Sequence, residues 1–153
     1  MQFRPSQIGV TLFELLVALA VLGIVAAIAV PVYNDYVENA RIQRIIVDLK
    51  GIEDRLERYY VSANGYPPLL TDVLPVVPSD PWGTPYQYTR IEGAGPGTAA
   101  FRKDKNLVPI NTDFDLYSSG ADGKSVGPLT AKSSRDDIVR ANNGRYYGLA
   151  DNY

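Results

Sequence analysis

The distribution of charge along this 153-residue chain constrains its fold more than any other feature. No Asp, Glu, Lys or Arg occurs from position 15 to position 34, and most residues in that stretch are Leu, Val, Ile or Ala. A helix rises about 1.5 Å per residue, so this stretch spans roughly 30 Å, the hydrocarbon thickness of a bilayer. From Asp35 onward the composition is that of an ordinary globular segment. The sequence therefore predicts a membrane-spanning helix followed by a polar head.

The composition excludes several classes of chemistry. The chain has no His and no Cys, which removes Ser-His and Cys-His nucleophilic pairs, zinc clusters and CxxC redox sites. Without cysteine, a head outside the cytoplasm has no disulfides to stabilise it. The formal net charge of -2 supplies no basic field for nucleic acid. We therefore expect no such catalytic site and no nucleic-acid partner.

The N-terminus has two simple interpretations. Residues 1–9 form a short polar leader with one charged side chain, Arg4, and the apolar stretch follows at once. This arrangement is compatible with a cleaved signal peptide or with a plain membrane anchor.

Two residues argue against both interpretations. Glu14 is an acid at the start of the apolar stretch, where an ionisable side chain usually has a partner. Pro31 lies inside the helical pattern and has no N–H for the carbonyl of Ala27, which predicts a kink or local melting near Gly23 to Pro31.

The segment around Glu14 resembles the processing and assembly motif of the type IV pilin superfamily. It reads Gly9-Val10-Thr11-Leu12-Phe13-Glu14-Leu15-Leu16-Val17-Ala18-Leu19-Ala20. In that family a prepilin peptidase cuts after the glycine and methylates the new N-terminus, and the fifth mature residue is an acid. Counted from Val10, Glu14 is fifth and Pro31 is twenty-second, as in the family; Val10 itself stands where Phe is commoner.

The resemblance gives each of these residues a role. It implies processing at Gly9 and Val10, and assembly through Glu14 and Pro31. The partner of the Glu14 carboxylate would be the positive amine at Val10 of a neighbouring subunit, because a lone carboxylate in an apolar fibre is severely destabilising. The alternative is that Glu14 is merely an acid at a helix start, stabilised by the macrodipole.

A second helical pattern follows the apolar stretch. Charged residues alternate with apolar ones at helical spacing from Val32 to Val61, which predicts an amphipathic helix with one face on a core. Asn64-Gly65 and Pro67-Pro68 end it. The predicted core face consists of Val37, Ala40, Ile45, Leu49, Ile52, Leu56 and Tyr59.

The rest of the head is predicted to be a small sheet. A short helix is indicated around Leu69 to Leu74, and Asp80-Pro81-Trp82-Gly83 forms a turn, with its Trp at the edge of the core. Strands follow at Tyr86 to Tyr88 and Phe114 to Ser118, with a Gly-rich loop at Glu92 to Thr98 between them.

The predicted fold class is therefore α+β and pilin-like, with a long N-terminal helix packed on a small antiparallel sheet. We predict a leader at 1–9, a transmembrane and assembly helix at 10–34, and a head at 35–153 that includes the amphipathic half of the helix.

Acidic residues cluster in the C-terminal part. Asp122-Gly123 is a natural turn pair, and Asp136-Asp137 after Ser133-Ser134 fits a capped helix start. Gly-Lys-Ser at 123–125 lacks the earlier glycine of a phosphate loop, because position 118 is Ser. Taken singly, each of these acids is explained by a turn or a helix cap, without a bound ligand.

Taken together, they resemble the calcium-binding end of the major pseudopilin of type II secretion. The matching segments are Asp80-Pro81-Trp82-Gly83, Ser118-Ser119-Gly120-Ala121-Asp122-Gly123 and Asp136-Asp137-Ile138. The resemblance implies calcium bound by the Asp122, Asp136 and Asp137 side chains and the Ser119 carbonyl, with a carbonyl near Ser134 as a further ligand. Such hard oxygen ligands suit calcium. The chain departs from the family by a longer spacing between Asp122 and Asp136, an apparent insertion around Arg102 to Thr112, and a Tyr-rich tail.

The family resemblance also implies a function. The chain would be a structural subunit, not an enzyme, of a periplasmic pseudopilus that drives type II secretion. Before assembly it would cross the inner membrane once, with its head in the periplasm. Its partners would be further copies, prepilin peptidase, other pilin-like subunits, the inner-membrane assembly machinery and lipid. A surface type IV pilus or DNA-uptake filament is the alternative; a membrane-tethered enzyme or binding module is a third class.

Overall fold

The computed structural model describes residues 9–94 and 101–153. Its one α-helix among these residues, α1 (Leu12–Ala63), is 52 residues long. The chain divides into two units within this helix, Met1–Asn39 and Ala40–Tyr153. The predicted leader, apart from Gly9, and most of the predicted Gly-rich loop lie outside the described residues.

In the first unit, α1 exposes its apolar side chains. Leu12, for example, is 78% exposed. By length and composition, α1 contains a stretch able to cross a membrane, with a mean hydropathy of 2.9. The helix continues through Pro31, so the local melting predicted near Gly23 to Pro31 is wrong. A proline removes one backbone hydrogen bond, whereas the neighbouring turns keep theirs. A kink at this point stays a prediction.

In the second unit, α1 buries one face, as its periodicity predicts. Of the seven positions predicted for that face, Ile45, Leu49, Ile52 and Leu56 are buried. The helix ends at Ala63, because Asn64 adopts a left-handed φ of 54°. A short 3-10 turn at Leu70–Asp72 replaces the short helix predicted nearby.

The head contains a four-stranded antiparallel sheet in the order β1-β2-β3-β4. The strands are β1 (Gln87–Arg90), β2 (Phe114–Ser118), β3 (Ile138–Ala141) and β4 (Tyr146–Leu149). Tyr117 of β2 is paired with Gln87 of β1 on one side and with Val139 of β3 on the other. This register fixes which ends of the strands meet, and it brings the turn after β2 beside the segment before β3.

The two faces of the sheet are covered differently. One face packs on α1, in a core that joins the buried helix residues to Phe114, Leu116 and Ile138, with Trp82 at its margin. The predicted place of the Trp at the edge of the core is therefore confirmed. The other face forms a smaller cluster of Ile110, Leu129, Val139, Ala141 and Ala150. The segment before β2 and the C-terminal loops cover this second face.

Two strands, β3 and β4, were not predicted from the sequence. Asp136 and Asp137 lead directly into β3 and not into a helix, so their interpretation as a capped helix start is wrong. The β-branched pair Ile138-Val139 favours a strand here. The turn to β4 places Asn142, Asn143 and Gly144 at φ 53°, 53° and 79°, a left-handed run that Asn and Gly tolerate best.

Candidate functional site

The predicted processing and assembly residues lie at the beginning of α1. Gly9 and Val10 precede the helix and are exposed. Glu14 lies in the first turn, where Oε2 accepts hydrogen bonds from the Thr11 backbone N–H at 2.9 Å and the Thr11 hydroxyl at 2.8 Å. The backbone N–H of Glu14 donates to Thr11 Oγ1 at 3.2 Å. These three bonds form a capping box that orients the carboxylate at the helix start.

The capping box gives Glu14 a structural role within one chain. The acid lies in the first turn, where it is favourably placed against the helix dipole, as the simpler interpretation predicts. The side chain remains exposed, so its charge is accessible to a second molecule. Pro31 is also exposed within α1.

The predicted calcium ligands come from two loops at one end of the sheet. Asp122 lies in the turn after β2, where its Oδ1 accepts a hydrogen bond from the Lys124 N–H at 2.7 Å. Asp136 lies just before β3, and its Oδ2 accepts from the Asp122 N–H at 3.1 Å. The turn has no room for a side chain at Gly120, whose φ is 65°, because Asp136 lies against it. The structure thus brings Asp122 and Asp136 together across their long spacing.

Asp137 points the other way, into the protein interior. It is fully buried, and its Oδ2 accepts a hydrogen bond from Ser125 Oγ at 2.6 Å and forms a short ion pair with Arg102. Its Oδ1 is also buried and has no hydrogen-bond partner among the described residues. Burial raises the pKa of the Asp137 carboxyl, while the Ser125 hydroxyl and the Arg102 guanidinium lower it in part.

The two serine positions are also buried. Ser119 follows β2 and is 5% exposed. The Ser134 carbonyl accepts the Asp137 N–H at 3.3 Å, while the Ser134 hydroxyl bonds the backbone of Val126. The Ser134 side chain therefore ties the two loops together, while its carbonyl holds the segment that leads to Asp137.

The predicted ligand atoms are of the type that calcium prefers, but the structure does not gather them around one point. The predicted ligands are all hard oxygens, and the buried Oδ1 of Asp137, which accepts no hydrogen bond from the part of the chain that the structure describes, is the kind of atom that a cation satisfies. No group of three or more His, Cys, Asp or Glu side chains in residues 9–94 and 101–153 is gathered as a metal site. The structure divides the predicted carboxylates into an accessible pair, Asp122 and Asp136, and the buried Asp137.

The Asp80 turn supports the same end of the sheet. Asp80 Oδ1 accepts hydrogen bonds from the backbone N–H groups of Trp82 and Thr84, both at 3.0 Å. Its Oδ2 accepts from Ser118 Oγ at 2.6 Å. Ser118 in turn accepts from the Gly120 N–H at 3.2 Å. The matching motifs at 80–83 and 118–123 are therefore connected directly by the hydrogen bond between Ser118 and Asp80.

The residue that sequence reasoning missed is Arg102. It begins the apparent insertion, is 3% exposed, and reaches Asp137 across 35 positions of sequence. Arg102 lies beside the buried Phe101, and this local apolar context is the one signal in the sequence for a buried arginine. A charged residue in a loop is more often solvated, so the sequence alone does not indicate its partner.

The C-terminal tail holds the segment that carries the acids. The Ala150 N–H donates to the Asp137 carbonyl at 2.8 Å, and the Asp151 N–H donates to the Arg135 carbonyl at 3.3 Å. The Tyr146 and Tyr153 rings are in contact, with centroids 5.1 Å apart. The Tyr-rich tail is thus part of the head and covers the second face of the sheet.

Comparisons with known proteins agree with this organisation. Residues 4–30 match the prokaryotic N-terminal methylation motif. The type II secretion system core protein G of Pseudomonas aeruginosa is 32% identical over 145 residues, covering 81% of this chain and 90% of the relative. Its counterpart in Vibrio cholerae is 29% identical over 150 residues, covering 85% and 91%.

A pilin is related over a similar length. The type IV major pilin protein PilE of Neisseria gonorrhoeae is 25% identical over 138 residues, covering 88% of this chain and 83% of the pilin. The methylation motif, the long N-terminal helix on an antiparallel sheet and the similarity over most of the chain all point the same way. The chain therefore belongs to the family of the type II secretion system core protein G, as its resemblance to the major pseudopilin predicts.

Proposed function

We propose that this chain is a structural subunit that prepilin peptidase cleaves after Gly9 and that polymerises into a periplasmic pseudopilus driving type II secretion. One observation carries the proposal: α1 exposes an uncharged apolar stretch with Glu14 oriented at its start, in a chain whose relatives are core protein G and a major pilin. An exposed apolar surface of this extent needs lipid or other subunits around it.

Glu14 acts in assembly through its charge. Cleavage after Gly9 creates a positive amine at Val10, and methylation leaves that charge in place. When the apolar helices pack together, a carboxylate without a partner is strongly unfavourable. Pairing with the Val10 amine of a neighbouring subunit removes this penalty and sets the register between copies. Pro31 assists by interrupting one backbone hydrogen bond in the packed part of the helix.

The location and partners follow from this role. Before assembly the subunit crosses the inner membrane once, with its head in the periplasm. It is there a substrate of prepilin peptidase and a client of the inner-membrane assembly machinery and other pilin-like subunits. We propose no catalytic role for the chain, since its function lies in packing and polymerisation.

Export from cells tests the role in secretion. Deleting the gene should abolish the release of type II substrates into the medium, and a wild-type copy should restore it. Gly9→Leu serves as a processing-defective variant: mass spectrometry should find residues 1–9 still attached, and export should fail. Normal export from the deletion strain would contradict the proposal.

The surface-pilus alternative is supported by the similarity to PilE. Immunogold electron microscopy of native cells separates the two functions. A pseudopilus predicts no long surface fibres at native expression, together with failed export on deletion. Labelled long fibres with intact export would favour a surface type IV pilus or a DNA-uptake filament.

We further propose that calcium binds at the C-terminal loops, held by the side chains of Asp122, Asp136 and Asp137 and the carbonyl of Ser119. Support comes from the hydrogen bond between Asp122 and Asp136 and from the buried Oδ1 of Asp137, which has no hydrogen-bond partner within residues 9–94 and 101–153. Calcium would supply charge compensation for these acids and tie the turn after β2 to the segment before β3.

Chelation tests the calcium proposal. The full chain in detergent should unfold at a lower temperature in EDTA than in millimolar calcium, and Asp122→Asn should remove most of this difference. Asp54→Asn, at an exposed position of α1, is the control and should keep it. Equal unfolding temperatures of the wild-type protein in EDTA and in calcium would refute calcium binding.

A further inference from the structure

Arg102 is a buried cation that neither processing nor polymerisation uses. Its guanidinium forms the ion pair with Asp137 and donates from Nη1 to Ser125 Oγ and, at 2.8 Å, to the Val126 carbonyl. Both Arg102 and Asp137 are almost completely removed from solvent, at 3% and 0% exposure. A buried pair of this kind is costly to break, because the remaining charge stays buried without a counter-charge.

Residues of β2 contact both the backbone and the side chain of Arg102. Asp115 on β2 accepts the Arg102 backbone N–H at 2.7 Å through Oδ2, and the Asn111 amide at 2.8 Å through Oδ1. One buried carboxylate thus anchors both ends of the 102–111 segment. The Tyr117 ring lies 4.2 Å from the guanidinium carbon and covers it, a favourable cation–π contact. The backbone of Arg102 is therefore anchored to β2 by a contact outside the loops, while the backbone of the adjacent Lys103 is hydrogen-bonded to Gly127 and Leu129.

The guanidinium also joins the loops that carry the proposed calcium ligands. Ser125 and Val126 belong to the loop that continues from the Asp122 turn, and Asp137 belongs to the segment that ends at β3. A positive group that bonds both loops performs the same electrostatic task as a bound cation. Asp137 Oδ2 is engaged by Arg102, whereas Oδ1 has no partner among the described residues.

We infer that Arg102 is a built-in cation of the C-terminal loops, a positioning residue that holds Asp137 and keeps the loops folded when no calcium is bound. This inference rests on the proposed calcium site for its second half alone. In that second half, calcium adds to a loop structure that Arg102 already maintains. The thermal stability of the head should therefore depend on calcium more strongly without Arg102 than with it.

The first experiment needs no calcium. The full chain in detergent and EDTA is heated while the fluorescence of Trp82 is followed, for the wild type, Arg102→Met, Arg102→Lys and the control Lys103→Met. We expect Arg102→Met to lower the midpoint by roughly 10 °C or more, Arg102→Lys to recover part of this loss, and Lys103→Met to have little effect.

A double variant separates charge pairing from packing. Arg102→Met with Asp137→Asn should unfold at a higher temperature than Arg102→Met alone, because no unpaired buried carboxylate remains. The inference would be overturned if Arg102→Met unfolded at the same temperature as Lys103→Met. It would also be overturned if the loss in the double variant equalled the sum of the losses in Arg102→Met and Asp137→Asn measured singly.

Calcium titration tests the second half. Millimolar calcium should raise the midpoint of Arg102→Met by at least about twice the rise in the wild type, since the ion then replaces the missing charge. An equal, non-zero rise in both proteins would overturn the second half. If calcium stabilises neither protein, the calcium proposal fails, and the double variant in EDTA still decides the role of Arg102.

Discussion

Arg140 on β3 donates a hydrogen bond from Nε to Glu53 Oε1 of α1 at 2.8 Å, joining residues 87 positions apart. Its Nη2 atom forms a second ion pair with Asp113 Oδ2 at 2.6 Å, just before β2. Arg140 itself is 2% exposed, and its guanidinium carbon lies 4.1 Å from the centre of the Phe114 ring. This one side chain therefore fastens the helix to two adjacent parts of the sheet.

Replacing Arg140 with Met should destabilise the head by about 3–5 kcal/mol, because Glu53 and Asp113 would keep their charges in a largely buried setting. Urea unfolding followed by Trp82 fluorescence measures the loss. Arg135→Met is the matched control, since the pair of Arg135 with Asp151 is 60% and 63% exposed and should contribute about 1 kcal/mol or less. Similar losses in the two variants would show that Arg140 does not act as a buried tie.

The Asp80 turn gives a second prediction. Asp80→Ala removes an acceptor for Trp82, Thr84 and Ser118 at once, and should lower the free energy of unfolding by about 2–4 kcal/mol. Asp80→Asn keeps one carbonyl acceptor and should lose less. In the folded state, the Asp80→Ala variant should also differ from the wild type in the fluorescence emission of Trp82. An Ala variant as stable as the wild type would mean that the turn forms without its carboxylate.

Buried tyrosines predict a loss of stability in alkali. Burial raises the pKa of Tyr66, Tyr86 and Tyr88, and the first two hydroxyls also donate to the carboxylates of Glu57 and Asp48. An unfolded tyrosine ionises near pH 10, so above that pH the folded head holds more protons than the unfolded chain. Stability is therefore fully present below about pH 10 and falls as the pH rises further.

The expected slope is up to about 1.4 kcal/mol per pH unit for each tyrosine. Urea unfolding at a series of pH values from about 9 to 11 measures it. Tyr66→Phe removes one ionising group and should flatten the decline, whereas Tyr33→Phe, at an exposed position in the first unit, should not. A free energy of unfolding that stays level across this range would be inconsistent with the burial of these hydroxyls.

Much of the fold was predictable because its signals are local and periodic. The apolar stretch, the buried face from Ile45 to Leu56 and the stop at Asn64 each follow from helical spacing or from backbone preference. β3 and β4 were missed because acidic and Asn-rich segments flank them, and those residues also fit caps and loops. Their strand character becomes visible only in the sheet, where β3 pairs with the distant β2 and β4 pairs with β3.

The sites were predictable to a smaller extent. The proximity of Asp122 and Asp136 follows from the pairing of β2 with β3, which joins two loops that are distant in sequence. The opposite orientation of Asp137 and its pairing with Arg102 depend on how the 102–111 segment crosses the second face of the sheet. No periodicity or motif encodes that path, so the sequence showed the acids and not their counter-charge.

The capping box at the start of α1 provides a direct test of assembly through Glu14. Glu14→Gln removes the charge but keeps a side chain that can complete the box with Thr11. Thr11→Ala does the reverse, since it removes the cap and keeps the carboxylate. If assembly depends on pairing with the Val10 amine, charge matters and the cap does not.

The decisive measurement is the yield of fibres from cells that overproduce each variant in place of the wild-type chain, after cleavage of the leader has been verified by mass spectrometry. We expect Glu14→Gln to be processed but to form no fibres, and Thr11→Ala to form them at close to the wild-type yield. Normal fibres from Glu14→Gln would contradict a charge-based role for Glu14 in polymerisation.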